Sequence, residues 1–144
     1  MIRIAVALLV DPQGRVLLQE RDEGAPRAAN QWGMVGGHVE DGEDFDTAVV
    51  REIEEETGLT VPGDALSLWF DGEFRYSDAD EAFAYHVYAG ATDATDADIV
   101  VGEGRQIVFV EPGSVPGLDK SESCAHFVPR FLASPAYRTL LEDR

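Results

Sequence analysis

The most chemically suggestive part of the sequence is a predicted helix that carries several glutamates near its end. The stretch 43–57 contains no glycine or proline and is followed by Gly58, a residue typical of the position just after a helix. Because residues four apart share one face of a helix, Glu52 and Glu56 are neighbours. At about 100° per residue, their directions fall on either side of Phe45, inside the apolar stripe. The two carboxylates therefore interrupt an apolar surface.

Carboxylates in such a position need a compensating partner. Two neighbouring acids in apolar surroundings are costly unless a cation or hydrogen-bond donors compensate their charge. Mg²⁺ prefers oxygen ligands and suits an open site that also holds phosphates, so the pattern predicts a divalent metal site at Glu52 and Glu56, with Glu55 beside them. The alternative is a solvent-exposed acidic face, which fits Glu54 because it points away from the stripe. The stripe consists of Phe45, Val49 and Ile53, with Ala48 on its flank.

The spacing of these residues resembles the signature of the Nudix hydrolase family. Gly37 is followed after five residues by Glu43, and after seven more by the run Arg51-Glu52-Ile53-Glu54-Glu55-Glu56-Thr57-Gly58-Leu59. Nine specified positions at fixed spacing make this match far more specific than a single glycine-rich loop. One position departs from many members, because Met34-Val35 rather than Leu-Pro precedes the glycine pair. The departure concerns the subfamily and not the chemistry.

The order of predicted elements indicates an α/β sandwich, since strands flank a central helix and a helical segment ends the chain. The resemblance implies the Nudix fold, an α/β/α sandwich with a mixed central β-sheet. At 144 residues the chain has the length of one domain, so we expect a single Nudix domain over residues 1–144.

Several strands and helices are expected on either side of the signature. Pro129 is expected to kink or divide the helix that contains it, and a strand is possible from Ile99. The first two strands are expected to form a hairpin through a turn at residues 11–14. The expected strands are Ile2–Val10, Arg15–Arg21, Trp32–Val35 before a turn at Gly36-Gly37, Leu66–Tyr76, Ala82–Ala91 and Gln106–Val110, and the later helices are Ser121–Leu132 and Pro135–Leu141.

The resemblance assigns roles within the predicted metal site. Glu52 and Glu56 are the expected ligands of Mg²⁺, with Mn²⁺ as a possible substitute, and Glu55 is a further direct or water-mediated ligand. The family adds the backbone carbonyl of Gly37. Glu103 lies in a later loop, where relatives often carry another glutamate that acts as base or ligand. Glu52, Glu55 and Glu103 all remain candidates for the group that takes the proton of the attacking water.

Three basic residues are candidates for substrate binding. Arg21 ends a predicted strand and either grips a phosphate or is a solvent-facing end charge. Arg27 lies in a polar loop, where a free surface charge is the alternative to substrate binding. His38 follows the signature glycine and either contacts a phosphate or is solvated.

Two further signature positions have expected structural roles. Arg51 is expected to point away from the metal ligands and to pair with Glu43, clamping the turn to the helix. Gly58 is expected to end the helix. We therefore regard these three residues as structural members of the signature.

Composition limits the partners of the protein. The formal net charge is −17 and Lys120 is the only lysine, so the surface repels nucleic acid and anionic membranes. A polyphosphate substrate therefore needs metal and local arginines. This acidity fits either a high-salt cytoplasm or a GC-rich genome. The single cysteine, Cys124, excludes an internal disulfide and is expected to be half-buried on a helix. Because the sequence shows no signal-peptide pattern, a cytoplasmic protein is expected. Its expected state is a monomer or a homodimer.

The resemblance implies hydrolysis of a nucleoside diphosphate linked to another moiety. Phe74 and Arg75 occupy the places where ADP-ribose pyrophosphatases tend to carry a marker proline. Tyr76 lies seventeen residues after Leu59, as in diadenosine polyphosphate hydrolases, although a lone tyrosine is weak support. We expect a MutT-like nucleoside triphosphate pyrophosphohydrolase, with a dinucleoside polyphosphate or nucleotide-sugar hydrolase as alternatives. A catalytically silent, nucleotide-sensing Nudix domain is an alternative of another class.

Overall fold

The fold is built around a strand that is buried on both faces. In a computed structural model, which describes residues 1–143, this first strand is apolar from Ile4 to Val10 and contributes alternate side chains to two separate cores. The strands are β1 Arg3–Val10, β2 Val16–Glu20, β3 Trp32–His38, β4 Ser67–Phe74, β5 Phe83–Ala91 and β6 Gln106–Val110, and the helices are α1 Phe45–Thr57, α2 Glu122–Leu132 and α3 Pro135–Glu142.

The six strands form one mixed sheet in the order β4-β5-β1-β3-β2-β6. β1 pairs in parallel with β5 and antiparallel with β3. One core contains the α1 side chains and the other contains those of α2 and α3. The helices therefore cover both faces, and the predicted α/β class with a mixed sheet is confirmed.

The expected hairpin of the first two strands is only partly present. The turn forms, and Gly14 adopts a φ of 82°, but β1 and β2 pair only at Val10 and Val16. The prediction was wrong beyond that point because β3 lies between the two strands and hydrogen-bonds to both. β3 also continues to His38, so the expected turn at Gly36-Gly37 is a strand segment paired with β1.

Three smaller expectations need correction. No strand begins at Ile99, because residues 96–98 form a 3-10 turn and the following amide, Val100 N, donates to Thr57 O at the end of α1. Cys124 is fully buried and not half-buried. Pro129 does not divide α2, since the buried Phe127 and Phe131 hold both halves against the sheet. Among residues 1–143, no helix is long and apolar enough to cross a bilayer.

Candidate active site

Helix α1 is held in one position by its caps and its apolar face. Asp44 Oδ1 accepts a hydrogen bond from the Thr47 amide at 2.7 Å at the start of the helix, and such caps stabilise helices by about 1 kcal/mol. Gly58 ends it with a φ of 76°, a left-handed conformation that glycine adopts without strain. Val49 and Ile53 are buried against the sheet. The acidic side chains of the helix are therefore fixed relative to the strands.

Glu56 is buried despite its ionisable group. Only 3% of the residue is exposed, and its Oε1 accepts a hydrogen bond from Gly36 N at 3.4 Å. Burial, and next the adjacent Glu52 carboxyl, raise the pKa of Glu56 to about 9. Glu56 therefore keeps a proton at neutral pH when no cation is bound.

The glycine pair of β3 makes room for the neighbouring carboxylate. A Cβ atom on Gly37 would lie 2.9 Å from the carboxylate atoms of Glu52, so any side chain at position 37 would displace that group. Gly36 has a φ of 141°, and a Cβ there would lie 2.3 Å from Ala5 O. Gly37 therefore leaves space for the Glu52 carboxylate beside β3, and the amide of Gly36 binds Glu56.

A third carboxylate is brought to the same place by a loop. The Gly102 amide donates to Glu56 O at 2.8 Å, and a Cβ atom on Gly102 would lie 2.0 Å from Glu55 O. Gln19 Nε2 donates to Glu103 O at 2.8 Å. Glu103 therefore follows a backbone segment packed against the end of α1, and its charge contributes to the raised pKa of Glu56.

Arg51 gathers a second set of carboxylates. Its Nε and Nη2 donate to the two oxygens of Glu43 at 2.8 and 2.9 Å, which is the contact expected from the sequence. The Arg51 hydrogen bonds hold the pKa of Glu43 at about 2. Nη1 lies 3.1 Å from both Glu52 Oε1 and Glu55 Oε2. Arg51 does not point wholly away from the predicted ligands, because its long side chain bends across the helix surface.

Glu52 and Glu56 provide a partial metal site. Among residues 1–143, no group of three histidine, cysteine, aspartate or glutamate side chains is arranged to hold a metal ion. Glu55 is 59% exposed at its side chain and does not line the cavity described next. Glu52 and Glu56 nevertheless offer only oxygen ligands. Glu56 is buried with no basic side chain paired to it among residues 1–143, and Glu52 lies where Gly37 leaves space. These features fit a hard divalent cation.

The carboxylates open into a cavity of about 470 Å³. Ile4, Val6 and Met34 give part of its lining an apolar surface, and other lining residues contribute aromatic rings and hydroxyl groups. Sequence reasoning missed several of its polar members, although a glutamine inside an apolar strand is a signal that could have identified one of them. The lining includes Glu52, Glu56, Glu103, Gln19, Ile4, Val6, Met34, Tyr76, Phe83, Tyr85, Ser121 and Ser123.

All three basic residues expected to bind substrate line this cavity: Arg21, Arg27 and His38. Arg21 Nε donates to Arg27 O at 2.8 Å. Arg27 is not a free surface charge, because its Nη1 lies 2.6 Å from Asp78 Oδ1 and its guanidinium lies 4.2 Å from the centre of the Tyr76 ring. The loop carrying Arg27 is thus tied to the turn between β4 and β5.

Comparison with known proteins identifies relatives over most of the chain. Residues 1–131 match the family model described as NUDIX domain. An octanoyltransferase from Myxococcus xanthus is 34% identical over 108 residues, which is 70% of this chain and 27% of that protein. An oxidized purine nucleoside triphosphate hydrolase from Danio rerio is 35% identical over 85 residues, or 59% of this chain and 51% of that protein. The chain therefore spans no more than about half of either relative.

Solved structures share the arrangement of strands and helices. The crystal structure of a MutT protein from Methanosarcina mazei Go1 superposes with a TM-score of 0.73 at 25% identity, covering 90% of this chain and 91% of that one. The NUDIX domain of Shewanella oneidensis NrtR, crystallised with ADP ribose, superposes with a TM-score of 0.75 at 15% identity, covering 90% and 85%. At that identity the second likeness concerns the fold alone.

Proposed function

Because the chain belongs to the Nudix family, we propose that it hydrolyses a phosphoanhydride bond in a nucleoside diphosphate linked to another group. Nucleoside triphosphates are the proposed substrates, with release of pyrophosphate. The observation that carries the proposal is the pair Glu52 and Glu56, two adjacent carboxyls at the edge of a cavity large enough for a nucleotide.

The residues that would hold a metal ion lie together at the cavity, where Glu56 is buried and Glu52, which also contacts Arg51, lies beside it. Glu52 and Glu56, with the carbonyl of Gly37, would bind Mg²⁺ or Mn²⁺. Glu55 would contribute only after leaving Arg51. A bound divalent ion would neutralise phosphate oxygens and lower the pKa of a bound water molecule.

Glu103 is our choice for the general base. Glu103 lines the cavity. Its backbone carbonyl accepts a hydrogen bond from Gln19, but among residues 1–143 its carboxylate has no hydrogen bond or ion pair that would make it less basic. Glu52, by contrast, contacts both Arg51 and Glu56. A carboxylate without such partners is better able to accept a proton from water.

The positive charge needed for a polyphosphate comes from the cavity wall. On a chain with a net charge of −17, Arg21, Arg27 and His38 are the basic side chains that line the cavity among the described residues. Their roles as phosphate contacts remain proposals. The relative named as an oxidized purine nucleoside triphosphate hydrolase supports a nucleoside triphosphate. Tyr76, considered as a marker of dinucleoside polyphosphate hydrolases, lines the cavity and donates a hydrogen bond to Ser123, so the dinucleoside polyphosphate alternative is kept.

A turnover assay with matched glutamate variants tests the proposal. Wild-type protein with Mg²⁺ should release pyrophosphate from at least one nucleoside triphosphate. Glu56→Gln should lose at least about 100-fold in kcat/KM, the scale observed when one charge-stabilising group is removed. Glu54→Gln, on the exposed side of the same helix, should remain within about twofold.

Two results would contradict the assignment. One is near-wild-type turnover by a Glu56→Gln protein whose circular dichroism spectrum shows it to be folded. The other is nucleotide binding without Mg²⁺-dependent turnover by the wild-type protein, which would favour the silent, nucleotide-sensing alternative.

A further inference from the structure

Strand β2 carries one buried polar side chain in apolar surroundings. Gln19 is only 2% exposed. It follows Leu17 and Leu18 in the strand and pairs with the buried Ile107 of β6. A buried amide is unfavourable unless it is hydrogen-bonded, so the partner of this amide indicates its role in the fold.

The Gln19 side chain binds the backbone of the proposed general base. Its Nε2 donates to Glu103 O at 2.8 Å, although the two residues are 84 positions apart in the sequence. The next residue of the loop packs on the same side chain, because a Cβ atom on Gly104 would lie 3.2 Å from Gln19 Cγ and 3.3 Å from Nε2. The glutamine therefore contacts the loop at two successive residues.

Backbone hydrogen bonds hold the loop on either side of Glu103. The Gly102 amide donates to Glu56 O at 2.8 Å, and the Arg105 amide donates to Glu20 O at 2.9 Å. The glutamine adds a side-chain hydrogen bond between these two points. That bond can be removed by substitution without altering the backbone of the loop.

The position of the Glu103 carboxylate matters for the proposed reaction. Glu103 lines the same cavity as Glu52 and Glu56, and like charges at one site repel each other. A group that takes a proton from water has to lie within about 2.6–3.2 Å of that water. A displacement of about 1 Å can lower a rate about 100-fold. The loop therefore needs a contact that opposes repulsion.

We propose that Gln19 is a positioning residue for the reaction, whose amide holds the backbone of Glu103 so that the carboxylate stays at the cavity beside Glu52 and Glu56. The proposal rests on the proposed function, because it presumes that Glu103 accepts the proton of the attacking water. Gln19 acts through Glu103 and takes no part in the chemistry itself.

A double-mutant cycle tests this role, using the full chain with Mg²⁺ and the nucleoside triphosphate that the wild-type protein hydrolyses fastest. Gln19→Met is similar in length but cannot donate, so it should lower kcat about tenfold and leave KM within about twofold. Glu103→Gln should lower kcat at least about 100-fold. The variant with both changes should match Glu103→Gln within about twofold, because the base that Gln19 positions is already absent.

Two further variants separate the hydrogen bond from other effects of changing a glutamine. Gln106 Nε2 donates to Glu20 Oε1 at 3.1 Å on the exposed surface of the adjoining strand, so Gln106→Met should keep kcat within about twofold. Gln19→Asn keeps the amide but is one methylene shorter. It should repeat the loss of Gln19→Met, and it takes the place of that variant if the methionine protein fails to fold.

Hydrogen exchange measures the same contact without turnover. The Gly102 and Arg105 amides form the hydrogen bonds on either side of Glu103. Both should exchange about tenfold faster in Gln19→Met than in the wild-type protein, because local opening of the loop exposes them to water. The same amides should exchange at the wild-type rate in Gln106→Met.

Several results would overturn the proposal. One is an unchanged kcat in folded Gln19→Met or Gln19→Asn protein. Another is a further tenfold loss when Gln19→Met is added to Glu103→Gln, which would show that the glutamine acts independently of Glu103. Unchanged exchange of Gly102 and Arg105 would reject the contact itself. These failures leave wild-type turnover intact, whereas absent wild-type turnover rejects the hydrolase and, with it, the catalytic role of Gln19.

Discussion

Two groups of carboxylates lie on or just before helix α1, and they differ in what neutralises their charge. Around Arg51, Glu43 accepts two hydrogen bonds from the guanidinium, and its pKa is lowered to about 2. Glu56 lies five residues further along the helix from Arg51. It forms no ion pair among residues 1–143, and burial together with Glu52 raises its pKa to about 9.

The difference separates a structural cluster from a candidate site. Where an arginine is supplied by the chain, the acids hold a turn against a helix. Where none is supplied, the acids need an external cation to become charged together. Both groups consist of glutamates, so residue type does not distinguish them. They differ in whether a basic side chain of the protein neutralises them. Glu52 lies between the groups, since it contacts both Arg51 and Glu56.

The largest expected effect is on catalysis, when one member of each group is neutralised. Glu52→Gln should lower kcat/KM by about 100- to 1,000-fold, because it removes a proposed ligand. Glu55→Gln should lower it less than about tenfold, because that exposed side chain lies on Arg51. Steady-state assays with Mg²⁺ check both values. Equal losses would show that Glu55 leaves Arg51 and joins the site.

The second prediction concerns the pH dependence of stability without divalent ions. A carboxyl whose pKa rises from 4.5 to about 9 on folding retains a proton that the unfolded chain releases. The free energy of unfolding should therefore fall by roughly 2–4 kcal/mol between about pH 6 and about pH 9. Glu43 has the opposite sign: its stabilisation is present above pH 4.5 and is lost as the pH falls towards about 2.

Denaturant titrations at several pH values would measure both slopes. Glu56→Gln should flatten the alkaline slope and leave the acid slope unchanged, and Glu43→Gln should do the reverse. An alkaline slope that persists in Glu56→Gln would show that another group causes it.

The third prediction concerns the removal of Arg51, the cation that neutralises Glu43. Arg51→Met leaves Glu43 with a side chain only 12% exposed and without its partner. We expect the free energy of unfolding to fall, by less than for a fully buried pair because Arg51 is itself partly exposed. The double variant Arg51→Met/Glu43→Gln should recover part of that loss. If it is no more stable than Arg51→Met, the pair is not the source.

The smallest expected effect concerns the loop that brings Glu103 to the cavity beside Glu52 and Glu56. A methyl group on Gly102 would lie 2.0 Å from Glu55 O, so Gly102→Ala must shift the loop. We expect kcat to fall about tenfold or more, because small displacements of catalytic groups are costly. Gly113→Ala is the matched control, since nothing lies within 4 Å of that added atom. Unchanged kcat in a folded Gly102→Ala protein would argue against Glu103 as the base.

Local patterns predicted the elements better than their pairing. The helix bounds followed from glycine, proline and apolar periodicity, and β6 was predicted at its observed residues, Gln106–Val110. The place of β3 between β1 and β2 was not predictable in this way, because pairing depends on contacts between residues distant in sequence. The turn after β1 reads as a hairpin locally, and only the later insertion of β3 opens it.

The site shows the same division. Helical spacing placed Glu52 and Glu56 together at the apolar stripe, and the structure buries Glu56. Helical spacing did not reveal that Arg27 pairs with Asp78 or that Gln19 hydrogen-bonds to the loop carrying Glu103. Those contacts join residues 51 and 84 positions apart, a separation at which no periodic pattern operates.

The sequence by itself determined the family, the α/β class and the acidic pair on one helical face, since these depend on residue types at fixed local spacing. Only the tertiary structure showed that Arg51 also contacts Glu52 and Glu55 while Glu56 is buried beside Glu52, and it alone joined Tyr76, Tyr85 and Ser123 at one wall. The physical reason is that compensation of charge and of hydrogen-bond donors depends on distances in space. Those distances arise when β3 and the helices close the cavity.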